Sequence, residues 1–284
     1  MFLTTNINGI CSNSKWEELQ AVVHTRKVHV AVICETHLNF KVPDNRIALN
    51  GYFALRKDRN FSAANKSKGG GIVIYLEKTV PFITPKINVP DELEVLWVVL
   101  RPSSPDSIIV AGIYLPPDSA APTRHLFIKH LVETIDCLRA ARPKSKTVLL
   151  GDFNAQLKTD ELERLLSIQN IVHEPTRGKA ILDKIITDIE SHIPPLISSE
   201  LGTADHKTVL WTMLMKQQSV RSVRTFRPLR DSNIRQFGNW ICTQNWEEVT
   251  DSRDIDIATE TLESNLWQAY EKFFPEISYK CRKK

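Results

Sequence analysis

Residues 147–154 read Thr-Val-Leu-Leu-Gly-Asp-Phe-Asn. Thr147–Leu150 is too short for a helix and reads as a buried strand. It runs straight into Gly151-Asp152, which sets a carboxylate at the strand's end and a carboxamide, Asn154, two residues on. The arrangement recurs along the chain. His29–Cys34 is β-branched and apolar, a buried strand with Glu35 at its C-terminal end. Ile108–Leu115 is a strand stopped by Pro116-Pro117, just beyond Tyr114. Residues 1–6 are short and apolar and end at Asn6, where Asn6-Ile-Asn8-Gly9 turns the chain. Ile72–Leu76, Leu93–Leu100, Ile181–Thr187 and Thr208–Met215 complete the strands, and Asp205-His206 precedes the last of them. Several strands thus deliver one polar residue each to a shared rim.

Helical spacing is clearest over 123–141, where Leu126, Phe127, His130, Leu131, Thr134, Ile135 and Leu138 follow the period and Pro143 ends it. Ser14 and Glu17 have capping-box spacing ahead of Leu19 and Val23, and Asp160–Ser167 suits a further helix. Residues 39–68 read as polar and irregular. Strands alternating with a few helices indicate α/β layers, and runs of adjacent strands indicate more than one sheet.

The character changes after Met215. Gln217–Arg230 has no acidic residue, and Arg221, Arg224, Arg227 and Arg230 recur every third position. The expected organisation is a catalytic domain over 1–215, then a basic linker and amphipathic helices near 231–244 and 254–274. An appendage that small has little core of its own.

The 284 residues are 42% hydrophobic and 25% charged, ordinary for a globular chain, and the net charge of +4 is too mild to diagnose a nucleic-acid partner by itself. The five cysteines, odd in number and without a Cys-x-x-Cys pair, indicate neither a zinc knuckle nor a disulfide framework and suit a reducing compartment. Neither a secretion signal nor a membrane span is expected.

The rim residues are carboxylates, carboxamides, a phenol and an imidazole, which suit a hard cation and a phosphate. Phosphodiester cleavage needs a neutralising cation, an activated water, and donors for the charge that grows on phosphorus. Glu35 is a suitable magnesium ligand, although a Glu after a strand is commonly only a solvated charge. Asn6 could be only a turn residue, and Asp152-Phe153-Asn154 only an Asx turn. As a site, Asp152 would polarise the attacking water while Asn154 donates to a phosphate oxygen. A protonated His206 would donate to the scissile phosphate, oriented by Asp183, a carboxylate costly in an apolar strand unless paired. Asp205 would hold a second metal position or fix Asn6. Tyr114 would offer its phenol to the phosphate, or simply pack. The remaining histidines, His37 included, read as surface or packing residues.

In this order, Asn6-Ile-Asn8-Gly9, Cys34-Glu35-Thr36-His37, Tyr114-Leu-Pro-Pro117, Gly151-Asp-Phe-Asn154, Leu182-Asp183 and Thr203-Ala-Asp-His206 resemble the endonuclease/exonuclease/phosphatase superfamily. Gly69–Tyr75, Glu174-Pro-Thr-Arg-Gly178 and Leu182–Thr187 narrow the resemblance to the endonuclease domain of non-LTR retrotransposons of the chicken-repeat-like lineage. The resemblance implies a DNase I-like four-layer α/β sandwich, two packed mixed sheets flanked by helices, plus a small helical C-terminal extension. It implies an endonuclease dependent on Mg2+, with Mn2+ as an alternative, that nicks double-stranded DNA to prime reverse transcription. Asn6, Glu35 and Asp205 then serve the metal. Tyr114, Asp152, Asn154, Asp183 and His206 serve catalysis, and Asn8, Thr176, Arg177 and Lys179 contact DNA. The implied partners are a reverse transcriptase domain and the element RNA in a full-length polyprotein. The implied site of action is the nucleus, after cytoplasmic synthesis. Ala204 departs from the family's usual Ser before Asp-His and removes one hydroxyl donor. Two rivals stand beside this reading: a phosphatase or phosphodiesterase of the same fold acting on an inositol phosphate or small molecule, and a non-catalytic remnant of a decayed element.

Overall fold

The computed structural model describes residues 1–62, 69–190, 193–213 and 223–280. The end of the polar segment at 63–68, the expected strand end at 214–215, the linker residues 217–222 with Arg221, and the last four residues lie outside the described residues.

In chain order the elements are β1 (Phe2–Asn6), α1 (Asn13–Thr25), β2 (Val30–Cys34), a 3₁₀ turn (Asp44–Ile47), β3 (Tyr52–Lys57), β4 (Ile72–Glu77), β5 (Phe82–Ile83), β6 (Glu94–Leu100) and β7 (Ile108–Tyr114). There follow α2 (Ala121–Ala141), β8 (Lys146–Asp152), α3 (Asp160–Leu166), β9 (Gln169–Asn170), β10 (Asp183–Thr187), β11 (Leu196–Glu200) and β12 (Lys207–Trp211). The remainder is β13 (Val223–Phe226), α4 (Asp231–Thr243), α5 (Glu247–Thr250), α6 (Ile255–Phe273) and β14 (Ile277–Lys280).

Two six-stranded sheets form the larger part, ordered β11-β12-β1-β2-β4-β3 and β5-β6-β7-β8-β10-β9. Both are mixed: β1 runs parallel to β2 and β7 parallel to β8, while their other pairings are antiparallel. The central strands are buried on both faces, so their sequences are continuous apolar runs rather than alternations. Val32, Ile74 and Val209 of the first sheet meet Val110, Val148 and Ile185 of the second in a shared inner core. Gly112 permits this approach, since a Cβ there would lie 3.0 Å from Ile74 and 3.1 Å from Val32. Leu19 and Val23 of α1 cover the outer face of the first sheet, while Phe127, Leu131 and Ile135 of α2 and Leu162 of α3 cover that of the second. The result is the expected four layers.

Four short strands depart from the sequence reading: β3, β5, β9 and β11. Only β3 lies in the segment read as irregular, the others where no element was assigned, and all four end a sheet, where half-exposed residues weaken the apolar signal. The helix α1 starts at Asn13 with Ser12 as its N-cap, and Ser12 makes no side-chain cap bond, so the Ser14–Glu17 capping box is not formed.

The chain divides into two compact units, Met1–Leu214 and Met215–Lys284. In the second, β13 pairs with β14, so 223–226 is a strand rather than linker. The helices α4 and α6 match the expected amphipathic segments. Phe237 stacks on Trp240 and meets Phe273 and Phe274 edge-on, which gives this unit a small aromatic core. No described helix is long and apolar enough to cross a membrane.

Candidate active site

Register carries the second sheet's polar residues into one row. Asp183 pairs with Asp152, Asp152 with Tyr114, and Tyr114 with Glu94, from β10 across β8 and β7 to β6. All four residues are buried. Gly151 is required just before Asp152: its φ is +145°, and a Cβ there would fall 1.9 Å from the Ile113 carbonyl oxygen.

The first sheet supplies Asn6 at the end of β1 and Glu35 just after β2. Asn6 Nδ2 donates to Asp152 Oδ2 at 2.9 Å, a hydrogen bond that joins the two sheets at the site. The Tyr114 hydroxyl donates to Glu35 Oε1 at 2.6 Å, and His37 Nε2 lies 3.3 Å from Glu35 Oε2. Glu35 and His37 both have positive φ, +51° and +56°, a strained backbone for side-chain-bearing residues that persists where its surroundings over-determine it.

Just before β12 of the first sheet, His206 lies with Nδ1 2.7 Å from Asp183 Oδ2 of the second. A carboxylate partner fixes the proton on Nδ1. The Asn154 backbone N–H donates to Asp152 Oδ1 at 3.0 Å, and its carboxamide donates to the Leu115 carbonyl at 2.8 Å. Asn154 therefore orients Asp152, and one of its two amide hydrogens is already committed, which narrows the expected donation to phosphate. Ligand atoms of Asp152, Asp183 and His206 all lie within 4.8 Å of one another.

These surroundings shift the titrations. Burial, then the charge of Asp183, pushes the Asp152 carboxyl from an ordinary 3.8 up to about 7, against the opposing pull of His206, Asn6 and Asn154. Burial also pushes Glu35 upward, but hydrogen bonds from His37, Tyr114 and Asn6, with the charge of His37, outweigh it and hold Glu35 down at about 2. For His206, burial favours the neutral ring, while the bond to Asp183 and the charges of Asp183, Asp152 and Asp205 overcome it and raise the pKa. Burial and Glu35 raise the Tyr114 phenol, which stays protonated and keeps donating.

Not every expected site residue joins this group. The Asp205 carboxylate is half-exposed and forms an ion pair with Arg177, which gives it a partner other than the expected metal or Asn6. Thr176 is fully buried, and its hydroxyl accepts the Leu182 and Asp183 N–H groups at 3.0 Å each. Thr176 thus closes the turn before Asp183 rather than presenting a hydroxyl to DNA. Asn8, Arg177 and Lys179 are exposed. Lys15 Nζ donates to the Asn8 carbonyl at 2.6 Å and steadies that loop. His37, read as surface or packing, stands against Glu35 instead.

The donor set suits a divalent cation. Glu35 and Asn6 offer hard oxygens, and Asp183 Oδ1 is buried with no hydrogen-bond partner among the described residues.

A model of the endonuclease/exonuclease/phosphatase family matches residues 3–240. The chain belongs to that family. Among solved structures, it resembles the endonuclease domain of TRAS1, a telomere-specific non-LTR retrotransposon, at 14% identity and a TM-score of 0.53, covering 76% of this chain and 99% of that one. It also resembles the AP endonuclease LMAP from Leishmania major at 16% identity and a TM-score of 0.56, over 73% and 85% of the two chains. The 3' phosphatase NExo from Neisseria, bound to product DNA hairpin, matches at 15% identity and a TM-score of 0.50, over 73% and 96%. Identities this low establish the fold alone. Within this endonuclease/exonuclease/phosphatase fold, the polar row of the second sheet and the ends of β1 and β2 carrying Asn6 and Glu35 form one continuous site.

Proposed function

We propose that this chain is a magnesium-dependent endonuclease, with manganese able to substitute, that nicks double-stranded DNA by hydrolysing one phosphodiester. The observation that carries the reading is the joined set Asn6–Asp152 and Asp183–His206, a base and a charged donor side by side at the ends of both sheets.

Glu35 and Asn6 are the residues that would hold the cation, which when bound supplies positive charge to the phosphate. The chain's own groups supply the rest. Asp152, with a pKa of about 7, is matched to take a proton from water near neutral pH. Asn6 and the Asn154 N–H hold its two oxygens in place. His206 is held protonated by Asp183, which leaves Nε2–H to donate to a phosphate oxygen as negative charge builds there. The oxygen of water bonds to phosphorus, the bond to the leaving oxygen breaks, and the water's proton passes to Asp152. Tyr114 donates to Glu35 and thereby keeps that carboxylate ionised and fixed.

The exposed Arg177 and Lys179 favour a polyanionic substrate, and the retrotransposon-like segments favour DNA nicking that primes reverse transcription. On this reading a reverse transcriptase domain and the element RNA are partners, action is nuclear, and Met1–Leu214 holds the chemistry while the second unit connects. Supercoiled plasmid incubated with magnesium, with and without chelator, should yield nicked circles only with the metal. Phosphate release from an inositol phosphate without plasmid nicking would favour a phosphatase, and inactivity on both substrates a decayed remnant.

A further inference from the structure

Glu94 extends the site's polar row by one strand, and it is paired. Arg59 Nε donates to Glu94 Oε1 at 2.6 Å, with both side chains almost fully buried. The other Glu94 oxygen accepts the Gly71 backbone N–H. An ion pair this deep costs desolvation and is weak support for stability, so its geometry invites a functional reading.

We propose that Arg59 and Glu94 are positioning residues that fix the Glu35 carboxylate for its divalent cation. Two routes run from the pair to Glu35. Through Arg59, the guanidinium lies 5.5 Å from the centre of the Tyr114 ring, and Tyr114 donates to Glu35. Through Glu94, the anchored triple-glycine loop presents carbonyls to the turn that follows Glu35: Thr36 N–H donates to Gly71 at 3.2 Å and His37 N–H to Gly70 at 2.8 Å. The loop fits only as glycine, since a Cβ on Gly70 would fall 2.2 Å from Arg59 and one on Gly71 2.6 Å from the Thr36 hydroxyl. The first route fixes the Glu35 carboxylate and the second holds the strained turn at Glu35 and His37, which gives the pair a task beyond filling space.

The inference rests on Glu35 holding the cation in the proposed function, and it is tested without relying on nicking. Cation binding is followed by calorimetry and by the magnesium-induced rise in melting temperature, for wild type, Glu94→Gln, Arg59→Lys and the apolar pair Arg59→Met with Glu94→Leu. Loss of an outer positioning group weakens metal affinity by roughly 10- to 100-fold. The expected result is that each folded variant needs roughly 10-fold or more magnesium for half-saturation. Arg59→Lys keeps the charge but loses the planar fork, and it should fall between wild type and the apolar pair. Where a single variant fails to fold, the apolar pair decides, because uncharged replacements avoid stranding a buried charge. Wild-type half-saturation in a folded apolar pair would overturn the proposal. Absence of plasmid nicking by a wild type that still binds magnesium would instead count against the proposed function.

Discussion

Asp152 ends a buried strand and Glu35 follows one, one from each sheet, yet their carboxyl pKa values are displaced in opposite directions. At the floor, Asp152 is sunk beside Asp183 and its proton is held up to about 7. At the rim, Glu35 is only partly buried and three side chains donate to it, so it stays ionised down to about 2. On the proposed function, two carboxylates at equivalent strand ends would therefore take different work, a base tuned near neutrality and an anion for a cation. Environment rather than residue type makes the division.

The floor should show the larger effects. At equal folded concentration, His206→Ala or Asp152→Ala should lower plasmid nicking by about 100- to 1000-fold, as expected for a lost preorganised charge stabiliser. Equal nicking by wild type and His206→Ala would remove the floor from the chemistry. At the rim, Glu35→Gln should act first on the cation: activity against magnesium concentration should shift by at least about tenfold. A variant that titrates like wild type would dissolve the distinction between rim and floor.

Smaller effects lie outside both regions. Replacing Arg177 and Lys179 together by Ala removes two expected phosphate contacts and should flatten the salt dependence of binding by about two units, with nick sites unchanged. Binding by a catalytically dead variant over a salt series measures the slope. An unchanged slope would leave the turn out of the interface, and the ion pair to Asp205 would then be its main engagement. Smallest is the effect expected from ending the chain after Met215: a sharp melt and retained nicking, with collapse of the fold as the contrary outcome.

Much of this was legible because each central strand is an apolar run that ends abruptly in a polar group, as at Asn6, Glu35, Tyr114 and Asp152. Asp183 stood out as a carboxylate in an apolar strand, and its partner His206 followed from that. Glu94 carries the same signal, an acid at the head of the apolar run 93–100, and equal weight on that signal would have found it. Arg59 left no such mark, since it lies in a polar loop 35 residues from its partner. Thr176 and Asp205 show the opposite limit: residue type suggests a ligand, while burial of one hydroxyl and pairing of one carboxylate depend on neighbours that only the fold brings together. The edge strands were illegible because half-exposed residues carry little periodicity.

The contrast between floor and rim is tested most directly by the stability of wild type, Asp152→Asn and Glu35→Gln in chelator across pH 3 to 9. The folded pKa of Asp152 lies above its ordinary 3.8, so its ionisation costs stability progressively as pH rises from about 4 to about 7 and fully above that. Glu35 is depressed from 4.5 to about 2, so its contribution is present above about 4.5 and is lost as pH falls toward 2. At pH 8, Asp152→Asn should therefore melt above wild type, with the gap closing toward pH 4. Glu35→Gln should melt below wild type at neutral pH, with its gap closing toward the acid end. An Asp152→Asn protein less stable than wild type at pH 8 would contradict the account.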